Sequence, residues 1–385
     1  CRGGGGFRYC HGGGSGLRHA ADCLRPRRRT GYRSDRHNPD RRPVRPADRR
    51  GHHRRRRAIR GHGHRPCCLP CQCDALLRGY LPRPHTGACR GVAAVIFSLV
   101  VATRGRDREL AELFESLLAQ QAELEVIVVD QNSDDRLAPV VAAYETRLSL
   151  LWHRSAVANA CHARNLGLAL ARGEIVGFPD DDCLLPHGVL AQVAAAFEED
   201  GGLAVLTGPA ASPEGGLGSG RWRKEAGPIT SANVWTSVIE FNLFLRRPLA
   251  LALGGFDEQL GPGTPLGSAE GNDLVLRAIE AGHAARYEPS LRIVHPDKRL
   301  TPVAVERAGL YGRGMGFVLR RHAVPAAVWL PFFIRPLGGV VLSVLRLRGL
   351  AARYYWATFR GRLAGFLTPS PTAGLPLRAL PEAPR

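Results

Sequence analysis

From residue 95 onward, the apolar positions alternate between strand-like and helix-like spacing. Ile96 to Thr103 (I-F-S-L-V-V-A-T) is a near-continuous apolar run, as expected of a parallel strand covered on both faces. After T-R-G-R-D, Leu110, Leu113, Phe114, Leu117 and Leu118 recur at amphipathic helical spacing. Leu124 to Val129 predicts a second buried strand that ends in Asp130 and opens into the polar loop Q-N-S-D-D. Pro139 to Arg147 reads as a helix and Leu148 to Trp152 as a third strand. An Ala-rich helix from Ala156 to Arg172 carries Arg164 and Asn165 and stops at Gly173. A short strand, Ile175 to Phe178, then meets three consecutive acids, Asp180, Asp181 and Asp182. A helix from Pro186 to Glu199 and a strand from Leu203 to Thr207 follow. Strands alternating with helices predict an α/β fold around a doubly wound, mostly parallel sheet.

The pattern changes after residue 207. Ala211 to Gly220 (A-S-P-E-G-G-L-G-S-G) is Gly-rich and reads either as a mobile lid or as a plain surface loop. G-G-F-D at 254–257 leads into E-G-N-D-L-V-L-R, where Glu270, Asp273, Leu274 and Arg277 are spaced i, i+3, i+4, i+7. That spacing puts both acids on one face of a helix's first turn, a position that acids also favour through the helix dipole alone. His295 follows a short apolar segment. Ala326 to Ile334 and Leu337 to Leu345 are two apolar runs broken by Arg335 and Pro336, each too short to cross a bilayer. Arg346, Arg348, Arg353, Arg360 and Arg362, interleaved with aromatic and apolar residues, fit amphipathic helices in a membrane interface. Packing of the same helices against the sheet domain is the competing reading.

Charge alters this picture mainly at the N-terminal end. Residues 1–90 carry 23 Arg against 5 Asp, with no Lys or Glu, and so hold +18 of the formal net charge of +19. The remainder is close to neutral, and aromatic residues for stacking on bases are scarce in the basic stretch, so no nucleic-acid partner is expected. The first 90 residues lack the apolar periodicity needed to offset their ordering entropy and are expected to be a disordered Arg-rich segment. Upstream sequence read as protein, with a true start near Val92 or Val95, would explain their composition. Cys67, Cys68, Cys71 and Cys73 lie close behind His62 and His64, but C-C-x-x-C-x-C is not zinc-knuckle spacing and no apolar framework surrounds it. Cys161 and Cys183, the two remaining cysteines, suggest a reducing compartment. The predicted organisation is the segment 1–90, an α/β domain 91–300, a helical segment 301–368 and a flexible tail 369–385.

The chemistry gathers at the acid run. Three adjacent carboxylates at the mouth of a buried strand repel one another and are costly to desolvate without a cation. Ligands of open α/β sheets bind beyond the carboxyl ends of the strands, and hard cations such as Mg²⁺ and Mn²⁺ take carboxylate oxygens there. A solvated turn that caps the following helix is the plainer alternative. Neither G-x-G-x-x-G nor G-x-x-x-x-G-K follows the first strand, so neither a dinucleotide fold nor a P-loop is supported.

Six motifs in order, S-L-V-V-A-T-R-G-R, V-I-V-V-D-Q-N-S-D-D, A-R-N-L-G-L-A-L-A-R-G-E, F-P-D-D-D-C, G-G-F-D and E-G-N-D-L-V-L-R, make residues 95–295 resemble a family-2 glycosyltransferase with the GT-A fold. The resemblance implies inverting transfer of a sugar from a nucleotide-diphosphate donor, assisted by Mg²⁺ or Mn²⁺, to a glycan or lipid-linked acceptor. It implies nucleotide contacts from Thr103, Arg104, Asp130, Arg164 and Asp180. It implies metal ligation by Asp180, Asp182 and His295, and a catalytic base at Glu270 or Asp273. The C-terminal apolar runs with their dispersed Arg and aromatic residues predict a cytoplasmic enzyme, peripheral on the inner face of the cell membrane. The sequence departs from the family pattern at Ala102 to Gly105, which reads A-T-R-G, and at Gly271, where a second acid is usual. A non-catalytic sugar-nucleotide-binding or membrane scaffold protein of the same fold is the alternative. A phosphotransferase using the acid run as nucleophile is disfavoured by Pro179 and Cys183, which flank it.

Overall fold

In a computed structural model, described for residues 97–369, the apolar runs assemble into one central sheet. The Arg-rich segment, with the cysteines weighed for zinc, and most of the C-terminal tail lie outside the described residues. Strands β1 (Phe97–Thr103), β2 (Leu124–Asp130), β3 (Ser149–Arg154) and β4 (Ile175–Gly177) are mutually parallel, with β1 between β2 and β4. The sheet continues through β5 (Leu203–Thr207), β7 (Gly227–Pro228), β8 (Leu243–Arg246) and β9 (Ala284–Tyr287) in the order β3-β2-β1-β4-β8-β5-β9-β7. β8 runs antiparallel between β4 and β5, and β7 is antiparallel to β9. A two-stranded parallel pair, β6 (Ala210–Ala211) with β10 (Ile293–Val294), stands apart. β8 had no sequence signal of its own, since four residues are too few to show a period.

Side-chain alternation divides the core between the two faces of this sheet. Val100, Ile127, Val129 and Val176 face helices α3 (Ala160–Leu170), α5 (Arg247–Ala252) and α6 (Glu270–Glu280). Leu99, Val101, Val126 and Val128 face α1 (Arg108–Leu118) and α4 (Val189–Glu199). Helix α2 (Ala138–Tyr144) packs beside α1. The period of two within each strand thus produces the two helical layers of the expected α/β architecture.

Helix starts moved for local reasons. α3 begins at Ala160, four residues later than its periodicity suggested, because Asn159 is extended and its side chain accepts a hydrogen bond from the His162 amide at 3.0 Å. α4 begins at Val189, because Gly188 takes a left-handed φ of 81° and closes a separate turn after Pro186.

The C-terminal segment forms α7 (Pro302–Arg321), α8 (Ala326–Leu345) and α9 (Gly349–Leu367). The two apolar runs expected to be separate are joined in α8, with Pro331 and Pro336 inside it. By length and composition this helix could cross a membrane, which corrects the expectation that each run is too short. α7 and α9 meet backbone to backbone. A Cβ at Gly316 would stand 2.0 Å from Arg362 O, and one at Gly361 2.1 Å from Gly309 O. Only glycine permits that approach, as in small-residue helix pairs generally.

Candidate active site

The carboxyl ends of β1, β2 and β4 lie at one edge of the sheet and present Thr103, Asp130 and the acid run. The acid loop is held from its far side by a two-way bridge: Leu184 N donates to Val294 O at 2.9 Å and Val294 N returns to Leu184 O at 3.0 Å. That bridge places His295, 113 residues further along the chain than Asp182, against the acids. His295 Nε2 is 3.4 Å from Asp182 Oδ1 and 4.0 Å from Asp180 Oδ2, and ligand atoms of all three residues fall within 4.8 Å of one another.

The imidazole is fixed twice. It stacks on Phe241 with ring centroids 4.6 Å apart, and its Nδ1 lies 2.8 Å from Pro296 O. A carbonyl only accepts, so Nδ1 carries the proton and Nε2 turns its lone pair toward the carboxylates in the neutral ring. Asp182 Oδ1 is buried with no hydrogen-bond partner. Burial pushes the Asp182 carboxyl above its usual range, against the charge of Arg106 and the one His295 carries when protonated. Two carboxylates, one with an orphaned oxygen, and an imidazole lone pair are a donor set that fits a hard divalent cation.

Two arginines balance the acids. Arg106, which was not among the sequence candidates, reaches Asp181 Oδ1 at 2.5 Å and Asp182 Oδ2 at 2.9 Å. Its neighbour Arg104 is exposed and makes no ion pair among the described residues. The second Arg of T-R-G-R-D was visible in the sequence, but nothing there says which of the two turns inward. Thr103 is buried and its hydroxyl donates to Arg106 O at 3.4 Å, helping to shape that loop. Arg164, buried on α3 and packed over Phe256, spans the site. It binds Asp180 Oδ1 at 2.8 Å through one nitrogen and Glu270 Oε1 at 3.2 Å through another.

Asp130 is enclosed. Its Oδ1 accepts from the backbone and side-chain nitrogens of Asn132, both at 2.8 Å, and its Oδ2 accepts from Trp152 Nε1 at 3.1 Å. Asp130 is fully buried, and these bonds tie its carboxylate to the loop that follows β2 and to β3.

The two acids of the α6 first turn differ sharply. Asp273 Oδ2 accepts from Arg277 Nε at 2.8 Å, and its Oδ1 pairs with His322 Nε2 at 2.9 Å and Arg321 at 3.5 Å. Burial pushes the Asp273 carboxyl up, but the His322 hydrogen bond and the charges of Arg277 and Arg321 outweigh it and hold it at about 2. Glu270 is 1% exposed, and its Oε2 has no hydrogen-bond partner. Burial and the negative charge of Glu240 push it up to about 7, against the pull of Arg164. The same helix turn thus carries one carboxylate locked as a structural anion and one poised near neutrality.

The Gly-rich loop is tied down. Asp297, two residues beyond His295, accepts from Ser212 Oγ at 2.6 Å and from Ser219 N at 2.9 Å, fastening both ends of the loop. The loop is thus anchored at both ends beside the His295 segment.

Residues 98–249 match the model of the family described as glycosyl transferase family 2. This stretch is a family-2 glycosyltransferase domain. Among curated proteins, the chain is 32% identical over 108 residues to the poly(ribitol-phosphate) beta-N-acetylglucosaminyltransferase TarS of Staphylococcus aureus, a match covering 27% of this chain and 19% of that one. It is 28% identical over 255 residues to the pre-mycofactocin glycosyltransferase of Mycobacterium tuberculosis, covering 63% of this chain and 50% of that one. The chain thus spans from about a fifth to half the length of these relatives. Among solved structures, the mannosyltransferase PcManGT of Pyrobaculum calidifontis, in complex with GDP-Man and Mn²⁺, aligns with a TM-score of 0.49 at 18% identity, over 73% of this chain and 90% of that one. Within the family-2 glycosyltransferase domain lie Thr103, the acid run and Arg164, whereas Glu270 and His295 are brought to it from beyond its matched end.

Proposed function

We propose that the chain transfers a sugar from a nucleotide-diphosphate donor to an acceptor hydroxyl, by direct displacement that inverts the anomeric carbon. The observation that carries this reading is the Arg164 bridge, which joins an acid of the candidate metal cluster to a buried carboxylate of near-neutral pKa. In this reading Asp180, Asp182 and His295 hold Mg²⁺ or Mn²⁺, which when bound neutralises charge growing on the departing diphosphate. Arg106 and Arg164 add fixed positive charge at the same place. Glu270 takes the acceptor proton through Oε2, and a base whose pKa lies near the operating pH is best suited to that task. Asp273 positions α6 rather than reacting. Residues 91–300 form the catalytic domain and 301–368 the helical segment.

A panel of UDP- and GDP-sugars with Mn²⁺ tests the reading by thermal shift of the full chain. A ligand that binds only the native state raises the melting temperature, and at 100 times its Kd contributes about 2.7 kcal/mol. At least one nucleotide sugar is expected to raise it in a Mn²⁺-dependent way. No shift with any of them would count against a nucleotide-sugar enzyme and a binding scaffold alike.

The helical segment supports attachment to the cytoplasmic face of the inner membrane, where a lipid-linked acceptor is met. Leu330, Ile334, Leu337, Val341 and Leu345 form an exposed stripe along α8, with Leu345 75% exposed. Residues 323–369 hold no Lys, Asp or Glu, and their exposed Arg335, Arg346, Arg348, Arg353 and Arg360 suit anionic headgroups at about 1 kcal/mol per cation. Three features favour lying in the interface over spanning. Arg335, mid-helix and exposed, would cost about 2.5–3.5 kcal/mol at a bilayer centre. Phe332 of α8 meets Trp235 of the catalytic domain edge-on at 5.9 Å. The backbone of Phe332 is also bound by the Arg362 guanidinium from α9.

Replacing Ile334, Val341 and Leu345 together by Ser is expected to weaken binding to phosphatidylglycerol vesicles about tenfold, with an unchanged melting temperature. Sedimentation with vesicles measures it, and equal binding by both proteins would remove α8 from the membrane.

A further inference from the structure

If the chain is a sugar transferase, the acceptor hydroxyl needs a place beside Glu270, and the turn that precedes β8 supplies one. Glu240 opens the 3₁₀ turn Glu240–Asn242. Its main chain and Cβ lie over Gly271, the second residue of α6: a Cβ built on that glycine would stand 3.3 Å from Glu240 Cβ and 3.4 Å from its Cα. The bare glycine lets the turn close on the part of α6 that carries Glu270.

The turn is rigid. Asn242, fully buried, donates to Pro209 O at 3.1 Å and to Leu291 O at 2.7 Å, and the intervening Phe241 is the ring on which His295 stacks. One short turn therefore braces the candidate metal cluster with one residue and presents a carboxylate to the other half of the site with the next. That carboxylate is half-buried and forms no ion pair among the described residues, although its charge acts on Arg164.

Glu270 Oε2, buried and without a hydrogen-bond partner, belongs to the α6 turn that Glu240 covers. An unpaired carboxylate and an orphaned carboxylate oxygen are complementary to a molecule with several hydroxyls, which donate to both.

We propose that Glu240 forms the acceptor subsite beside Glu270. There Glu240 accepts hydrogen bonds from hydroxyls of a polyhydroxylated acceptor, a sugar or polyol, and holds the reacting hydroxyl against Glu270. In the step that follows, the hydroxyl oxygen bonds to the anomeric carbon. The bond from that carbon to the diphosphate oxygen breaks with its electron pair on the diphosphate, and the hydroxyl proton passes to Glu270 Oε2. This rests on the glycosyl-transfer reading and adds to it the class of acceptor and the residue that holds it.

The test uses the full chain with Mn²⁺ and the nucleotide sugar that gives the largest thermal shift. Nucleotide release is followed against increasing glucose, N-acetylglucosamine or xylitol as acceptor probes. Wild type is expected to be stimulated by at least one of them. In Glu240→Ala the half-saturating probe concentration should rise about tenfold or more, the loss of a hydrogen bond to a charged group. The nucleotide Kd should stay within about twofold. Glu240→Gln, which keeps the shape and one acceptor oxygen, should fall between the two, and it decides the matter if the Ala variant melts early. Unchanged half-saturation in both variants would overturn the proposal. So would a nucleotide Kd that weakens in step, which would move Glu240 to the donor side. Failure of every probe to stimulate a wild type that binds the donor would overturn the polyhydroxylated class. A wild type that binds no nucleotide sugar would instead remove the glycosyl-transfer reading itself.

Discussion

Asp182→Ala is expected to abolish transfer and to remove the Mn²⁺-dependent part of nucleotide binding. Asp182 is the acid nearest His295, and its Oδ1 is the oxygen that lies buried without a hydrogen-bond partner. A lone carboxylate oxygen in that state is costly unless a cation is its partner in the working enzyme. Removing it leaves Asp180 and His295, with Asp180 already bound by Arg164. The fold itself should survive, because Asp181 retains Arg106 and the Leu184–Val294 bridge does not involve the Asp182 side chain. Nucleotide titrations with and without Mn²⁺ measure the effect. Near wild-type turnover, or an unchanged metal dependence, would take the metal away from this cluster.

Glu270→Gln should leave nucleotide affinity within a few-fold and lower turnover by about 10²-fold or more, the usual contribution of a positioned base. Gln keeps an oxygen for Arg164 and the shape of the buried side chain but cannot take up a proton. Asp273→Asn should act differently. It strips the charge from a carboxylate bound by Arg277, Arg321 and His322, and so should lower the melting temperature. A dead Asp273→Asn that melts like wild type, beside an active Glu270→Gln, would reverse the assignment. The pH profile gives a second reading. A base must be ionised, and burial with the Glu240 charge lifts Glu270 from 4.5 to about 7. Turnover should therefore fall as pH drops below about 7, with that limb absent from the residual activity of Glu270→Gln.

The acid run stood out by its own chemistry, three carboxylates after a buried strand, whereas Arg164, Glu270 and His295 were singled out only through the resemblance to the family motifs. Arg106 and Glu240 were not singled out. Arg106 competes with Arg104 one residue away from a glycine, and only the backbone path through Gly105, with φ of 77°, decides which side chain turns inward. Glu240 sits alone in an apolar stretch, and its importance depends on what lies opposite, a bare Cα on a helix thirty residues later.

By itself the sequence determined what is periodic and local. The two faces of the sheet follow from alternation in β1 and β2, the α6 face from its i, i+3, i+4, i+7 spacing, and the concentration of charge in residues 1–90 from composition. Tertiary structure decided whatever depends on contacts between distant segments. Glu270 and Asp273 look alike in sequence, three residues apart in one helix turn. One meets Arg164 and the Glu240 charge, the other Arg277, Arg321 and His322, and burial then magnifies those neighbours until the two acids are pushed to about 7 and about 2. The joining of two apolar runs into α8 was decided the same way. Local rules set a proline and a charge against a single helix there, and packing on α9 and on Trp235 outweighed them.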